Sequence, residues 1–263
     1  YHLAYRLGLI DEKAMKQKFA SESSIAKAVE KKGGFSRGFV KEIVADADVI
    51  DAAYRAMVDL YKITPQHKKH LLEKRGLKEE DFGEYFSFPE DSSEVGTKVR
   101  QWINWKEAEK MFDTNPYSLD AERLERLMAN PFVKKVKEQL RYVPGFYLNK
   151  QTDKIECVHK QGIGLLAVGP DGLAKGVQVQ NLDPNRKGAK YVWWSSSSKI
   201  GEVGFEGGAS PGSPGGVIFP KNNCDNNYME TAPIVITEGK YKAEALAYQG
   251  NIAIYVSGVG TWK

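Results

Sequence analysis

The stretch Pro233-Ile-Val-Ile-Thr-Glu-Gly-Lys-Tyr-Lys-Ala-Glu-Ala-Leu-Ala-Tyr-Gln-Gly-Asn-Ile-Ala-Ile-Tyr-Val-Ser-Gly-Val-Gly260 decides the fold class. A β-branched run over 234–236 precedes a helical pattern over 240–248, and a second apolar run covers 252–256. This order predicts two parallel strands joined by a helix, a βαβ unit. Ligands of such sheets bind at the carboxyl ends of the strands. Glu238, which follows the first strand, is therefore the first candidate functional residue.

The chain upstream of this unit changes character once, near residue 143. Residues 1–142 are rich in Lys, Glu, Ala and Leu with helical periodicity, which predicts a helical domain. Residues 143–231 hold β-like runs separated by glycines, which predicts a β-rich subdomain. Residues 232–263 contain the βαβ pattern and predict the start of an α/β domain. We therefore expect an α+β fold built from these three segments.

The same periodicities place the individual elements. Helical patterns cover 1–9, 12–19, 25–31, 39–61, 67–75, 78–85, 99–111 and 119–140, and β-like runs cover 155–159, 163–168, 174–180, 191–194 and 216–219. Thr64-Pro65 provides an N-cap and a first-turn proline, and Gly76 provides a stop. Asn130-Pro131 is expected to break or kink the last helix. Polar and glycine-rich segments around the last of these strands, 199–220 and 222–230, are predicted loops.

Composition narrows the classes of protein that this chain can represent. With 263 residues, 41% of them hydrophobic, it is long enough for two modest domains, and its net charge of +4 permits a nucleic-acid partner without requiring one. Cys157 and Cys224 form no CxxC pair, which favours reduced thiols over a zinc site. No signal peptide and no run of 18 apolar residues occurs, which favours a cytoplasmic protein without membrane contact. A chain that begins at Tyr1 and ends soon after a βαβ pattern is expected to be a fragment.

Motifs for other enzyme classes are missing from the sequence. It contains no Walker A pattern and no Gly-x-Gly-x-x-Gly fingerprint in a suitable context, which disfavours ATPases and dehydrogenases. It also has no serine or cysteine in a nucleophile elbow.

Ile236-Thr-Glu-Gly239, then Lys242-Ala-Glu-Ala-Leu-Ala247 and a strand ending in Gly258-Val-Gly260, resemble the first half of a Toprim domain. Toprim is the catalytic fold shared by bacterial primases, type IA and type II topoisomerases and some nucleases. The sequence is most similar to the primase-like Toprim domains of replication proteins from phages, plasmids and integrative elements.

Segments further upstream extend this resemblance in the expected order. Val143-Pro-Gly-Phe146, the segment 162–180 and Lys190-Tyr-Val-Trp-Trp-Ser-Ser196 resemble the β-rich subdomain that precedes Toprim in bacterial primases. Residues 51–77 resemble the helical module upstream of Toprim in the mobile-element relatives. The resemblance covers about 48–262, and the residues before it match no family.

The resemblance implies metal-dependent nucleotidyl transfer on DNA templates by the parent protein. Glu238 would be a ligand of Mg²⁺ or Mn²⁺ or a general acid/base, and Lys240 and Lys242 would lie near the phosphates. In the family, an Asp-x-Asp pair after a later strand supplies the other metal-binding carboxylates, and the sequence up to Lys263 does not contain it. We therefore expect the chain to be inactive alone. The expected partners are single-stranded template DNA and a helicase or other replication protein.

A second candidate for nucleic-acid contact is Lys190-Tyr-Val-Trp-Trp194. Cations interleaved with aromatic side chains can neutralise phosphates and stack bases, so Lys190 and Trp193 are predicted contacts. The alternative is an ordinary strand with one tryptophan in the core.

Some positions depart from the primase pattern and keep other functions open. Gln178 and Gln180 lie in a strand where primases commonly carry Arg, and Lys242 stands where they carry Asp. Losing an arginine removes a bidentate phosphate contact. A Toprim-type nuclease and a non-catalytic DNA-binding or docking module are the alternatives. His67 and His70 lack a third ligand nearby, which favours a surface or capping pair over a metal site.

Overall fold

A computed structural model describes residues 42–113, 119–185, 187–221 and 231–257. The described part falls within one compact unit spanning 42–261. The helices predicted over 1–31, the predicted loop 222–230 and Gly258-Val-Gly260 lie outside the described residues. Helices and antiparallel sheets are mixed along the chain, which confirms the α+β fold class. Within the described ranges, no helix combines the length and apolarity needed to cross a membrane.

The elements are numbered here in chain order. The α-helices are α1 (Ala47–Leu60), α2 (Pro65–Arg75), α3 (Val95–Phe112), α4 (Ala121–Ala129), α5 (Pro131–Gln139) and α6 (Lys240–Tyr248), and short 3₁₀ helices cover Glu79–Glu84, Leu140–Tyr142 and Ser197–Lys199. The strands are β1 (Tyr85–Ser87), β2 (Phe146–Asn149), β3 (Lys154–Cys157), β4 (Ile163–Val168), β5 (Ala174–Gln180), β6 (Tyr191–Trp193), β7 (Phe205–Glu206), β8 (Gly216–Ile218), β9 (Ile234–Glu238) and β10 (Ile252–Val256).

Helix boundaries follow the capping signals of the sequence. The Thr64 side chain accepts a hydrogen bond from the backbone N–H of His67 at 3.4 Å, and Gly76 ends α2 with a φ of +66°. The predicted break is confirmed, because Asn130 ends α4 and caps α5 by accepting from the N–H of Phe132 at 2.8 Å. Pro131 then occupies the first turn of α5, where its missing N–H has no cost.

A four-stranded antiparallel sheet in the order β1-β4-β5-β6 is the centre of the fold. Strand β1 corrects the predicted helix over 78–85, which is a 3₁₀ helix as far as Glu84. From Tyr85 onwards the chain pairs with β4, with Tyr85 opposite Leu165. All three residues of β1 are buried, so packing against β4 outweighs helical periodicity there. The sequence also missed β2 and β7, which form a second sheet with β3 in the order β3-β2-β7.

One face of the central sheet forms the main core with α1 and α3. Trp194 is completely buried in this core and donates a hydrogen bond from Nε1 to the carbonyl of Val158 at 2.8 Å. The rings of Phe88 and Phe146 lie 5.1 and 5.0 Å from its ring. Gly145, with a φ of +97°, passes against the indole where a Cβ would collide with it.

The predicted βαβ unit is present as β9-α6-β10. The two strands are parallel, with Ile234 opposite Ile252 and Glu238 opposite Val256, and β8 pairs antiparallel with β10. Helix α6 packs on this sheet through small side chains such as Ala243 and Ala247. Strand β9 extends two residues beyond the predicted run and ends on Glu238.

Candidate functional site

A cleft of about 260 Å³ opens between the βαβ unit and the central sheet. It lies at the carboxyl ends of β9 and β10, where the topology predicts ligand binding. Ten residues line the cleft: Arg75, Leu165, Gln178, Tyr191, Glu238, Gly239, Lys240, Tyr241, Lys242 and Ser257. Three of the five residues predicted for the site, Glu238, Lys240 and Lys242, are among them.

Glu238 and Lys242 are the exposed charges on the βαβ side of the cleft. Gly239 connects them with a φ of +81°, which favours glycine, and its N–H donates to the carbonyl of Val256 at 2.9 Å. This turn places Glu238 at the end of β9 and Lys242 in the first turn of α6. The side chains of opposite charge are both available to a ligand.

Lys240 occupies a different position from the one expected. Only 2% of its surface is exposed, its Nζ donates to the carbonyl of Leu166 at 2.7 Å, and it forms an ion pair with Glu84. Burial acts to lower the pKa of Lys240, but Tyr255, Glu84 and Glu244 outweigh it and raise that pKa. The ammonium therefore stays charged and holds α6 against the central sheet, and it is not free to reach a phosphate.

A second set of buried polar groups fixes the other side of α6. Glu244 is 2% exposed; it accepts from the hydroxyl of Tyr85 at 3.0 Å and forms an ion pair with Lys221. Lys221 also pairs with Asp81, which accepts from the hydroxyl of Tyr248 at 2.8 Å. Burial opposes ionisation of Asp81, yet the bonds from Lys221, the Lys78 backbone and Tyr248 hold its pKa below the usual value. These contacts set the orientation of the helix that carries Lys242.

A buried polar residue of the central sheet, Gln180, supports a residue of the cleft lining. Gln180 is completely buried; its Oε1 accepts from the hydroxyl of Tyr241 at 2.6 Å, and its Nε2 lies 3.2 Å from His70 Nε2. Burial, together with the charges of Arg75 and Lys190, lowers the pKa of His70, so its neutral ring can accept from the amide. Gln180 thus joins α2, β5 and α6 through neutral hydrogen bonds.

Arg75 is a cleft residue that sequence reasoning did not single out. The sequence places it only at the end of the predicted helix over 67–75. In the structure it ends α2, its Nη2 donates to the hydroxyl of Tyr191 at 2.9 Å, and its guanidinium lies 4.6 Å from the centre of the Tyr241 ring. Its position just before the helix-ending Gly76 was the one available signal, and that signal does not identify which strand it would meet.

Lys190 and Trp193 flank the cleft without lining it. Trp193 is half-buried and lies directly across from Gln178, which does line the cleft. Lys190 precedes β6, and its ammonium lies 5.8 Å from the centre of the Tyr191 ring. Trp194, the next residue, belongs to the core, so the two tryptophans of this strand lie on opposite faces of the sheet.

The described residues do not fit a two-metal centre. Among them, no group of three or more His, Cys, Asp or Glu side chains is arranged to hold a metal ion, and Glu238 is the one carboxylate in the cleft lining. The two candidate histidines have separate partners, because His67 Nδ1 lies 2.8 Å from Ser87 Oγ whereas His70 faces Gln180. Binding of Mg²⁺ or Mn²⁺ by Glu238 stays a prediction.

Comparisons with known proteins leave the family of this chain open. No family model matches it, and no curated protein matches it. A solved structure that aligns with this chain is described as the DnaG primase catalytic domain bound to ssDNA, with a TM-score of 0.38 and 16% sequence identity. The match covers 81% of this chain and 56% of that one. A similarity of this size carries no argument about function, which has to come from the site.

Proposed function

We propose that this chain is the template-handling part of a primase-like replication protein, and that its cleft binds single-stranded DNA. The observation that carries the proposal is the composition of the cleft. Arg75 of α2, Tyr191 of β6 and Lys242 of α6 all line it, and Glu238 lies at the carboxyl end of β9.

Each of these groups suits one part of a nucleotide. The two cations can neutralise phosphates, and Arg75 can do so with two parallel hydrogen bonds. Half-buried aromatic side chains on β6, Tyr191 and Trp193, can stack on unpaired bases. A single strand can turn its bases into such a cleft, whereas a duplex presents only their edges in its grooves. This combination supports a single strand as the ligand.

Nucleotidyl transfer by the parent protein is a further step of the proposal. It would require Mg²⁺ or Mn²⁺ and more carboxylates than Glu238, because one carboxylate cannot hold the metal pair of such a reaction. We therefore propose binding, and not catalysis, for the described part of the chain. A helicase or other replication protein as a partner stays a prediction.

Fluorescence anisotropy with labelled single-stranded and duplex DNA, over a salt titration, tests the proposal. We expect tighter binding of the single strand and an affinity that falls steeply with salt. Lys242→Ala should flatten the slope of log affinity against log salt by about 0.7, the value for one phosphate contact on a single strand.

Lys62→Ala is the matched control, because Lys62 is a surface lysine with 73% of its side chain exposed and lies outside the cleft. It should leave the slope unchanged. Equal slopes for Lys242→Ala and Lys62→Ala would show that DNA does not bind in the cleft. No binding of any DNA at low salt would favour the docking module, and preferred binding of a duplex would contradict the single-strand proposal.

A further inference from the structure

We infer that Arg75 is the phosphate-binding residue of the cleft, an assignment that rests on the proposed binding of nucleic acid there. The ligand group is a phosphate oxyanion, which belongs either to the backbone of a strand or to a nucleoside triphosphate. The inference comes from the way the guanidinium is held, from its missing counter-ion and from the other groups around it.

The guanidinium is fixed in place before any ligand arrives. The Tyr191 hydroxyl accepts a hydrogen bond from Arg75 Nη2 at 2.9 Å, and Arg75 Cζ lies 4.6 Å from the centre of the Tyr241 ring. Tyr241 is held in turn by its 2.6 Å hydrogen bond to the buried Gln180. A preorganised arginine loses less side-chain freedom on binding an anion than a flexible lysine does.

Within the described part of the chain, the positive charge of Arg75 has no carboxylate partner. Among the described residues, no carboxylate oxygen lies within the 4.0 Å of an ion pair, and the buried Nε donates to no acceptor. The carbonyl end of α2 favours a cation at this position, which explains how the charge is tolerated there. Half-buried cations without a counter-ion are poorly solvated, so an anion that enters the cleft gains a charge partner.

Other groups of the cleft suit an anion with several oxygens. Lys242 is exposed in the first turn of α6, and Gly239, the N-cap residue of that helix, provides no side-chain cap. The first N–H groups of a helix point toward an anion at its N-terminus. Phosphate oxygens can contact Arg75, Lys242 and this helix end together, whereas a carboxylate has two oxygens for the same three donors.

Titration calorimetry of the full chain with two probes, ATP and an oligothymidylate without a terminal phosphate, tests the inference. Arg75→Lys keeps the charge but loses the planar pair of donors, and Arg75→Gln loses both. We expect the affinity for one or both probes to fall about tenfold or more in each variant. Lys74→Gln is the matched control, since this exposed neighbour on α2 lies outside the cleft lining, and it should change both affinities less than threefold.

The pattern of losses identifies the source of the phosphate. Loss confined to ATP indicates a triphosphate, and loss that includes the oligonucleotide indicates the backbone. If Arg75→Gln equals Lys74→Gln with both probes, the inference is wrong, even where the oligonucleotide still binds. If the wild-type chain binds ATP through Arg75 but no oligonucleotide, the inference holds and the proposed single-strand function fails. Tyr191→Phe removes only the hydroxyl that holds Arg75 and keeps the ring, so this variant is expected to fold. It should weaken the binding of the same probe by a smaller factor than the Arg75 variants do.

Discussion

The two faces of the central sheet differ in their polar content. One face is apolar and packs on α1 and α3, with Val177 and Trp194 in its core. The other face has a smaller apolar cluster, in which Leu71 of α2 packs with Leu165. Beside this cluster lies the buried Gln180, and α2 and α6 each form a side-chain hydrogen bond with it. The comparison teaches that hydrophobic burial holds both faces of the sheet, whereas buried polar contacts are concentrated on the face that lies against the cleft.

Adjacent tryptophans provide the sharpest test of this comparison. Trp194→Ala should lower the free energy of unfolding by about 3–5 kcal/mol, because it empties the core between α1 and the sheet. Trp193→Ala should cost about 1 kcal/mol, yet weaken the binding of single-stranded DNA about fivefold or more. Urea denaturation followed by circular dichroism, with DNA anisotropy on the same samples, measures both. Equal losses of stability would break the distinction between the faces.

Two lysines of α6 give the next largest effect. Lys240→Met leaves Glu84 without its partner and should cost about 3 kcal/mol of stability, at the low end for a broken buried pair because Glu84 is partly exposed. Lys242→Met should change the stability by no more than about 0.5 kcal/mol, since Lys242 is exposed. Urea midpoints of the two variants compare them directly. A stable Lys240→Met variant that loses DNA binding would show that Lys240 contacts the ligand after all.

A change of pH should have a smaller effect on the free energy of unfolding. Burial lowers the pKa of His67, and burial with nearby cations lowers that of His70, so the unfolded chain binds protons that the folded chain does not. The stability contributed by the neutral rings is complete above the unfolded value of about 6.5 and is lost as the pH falls below it. Chemical denaturation at pH 7.5 and 5.5 should show this decrease, and His67→Gln should reduce it. A stability that rises on acidification over this range would contradict the assignment.

Local patterns predicted a large part of the fold. Strands β4, β5 and β10 have the predicted bounds, and the caps at Thr64 and Asn130 are where the sequence places them. These features depend on alternation and on short-range hydrogen bonds, which a sequence displays directly. Strand β1 was missed because its identity depends on pairing with β4, 80 residues away for Tyr85 and Leu165.

The cleft was predicted only in part. Glu238 follows from the βαβ pattern, since the strand ends are defined within a few residues, whereas Lys242 was expected there from the Toprim resemblance. The burial of Lys240 depends on Glu84 and on a backbone carbonyl of β4, and the role of Arg75 depends on Tyr191 and Tyr241. These are long-range contacts between elements, and no local pattern indicates them.

Photocrosslinking of the full chain to a single strand that carries 5-bromodeoxyuridine tests the binding site most directly. Peptide mapping should find the adducts at Tyr191, Trp193 or Tyr241, the aromatic residues at the cleft. Trp102 and Trp105 provide an internal comparison, because Lys106 lies 5.1 and 4.6 Å from their rings and they form a second aromatic and cationic surface on α3. Adducts confined to those two residues would contradict the account and place the nucleic acid on the helical side of the fold.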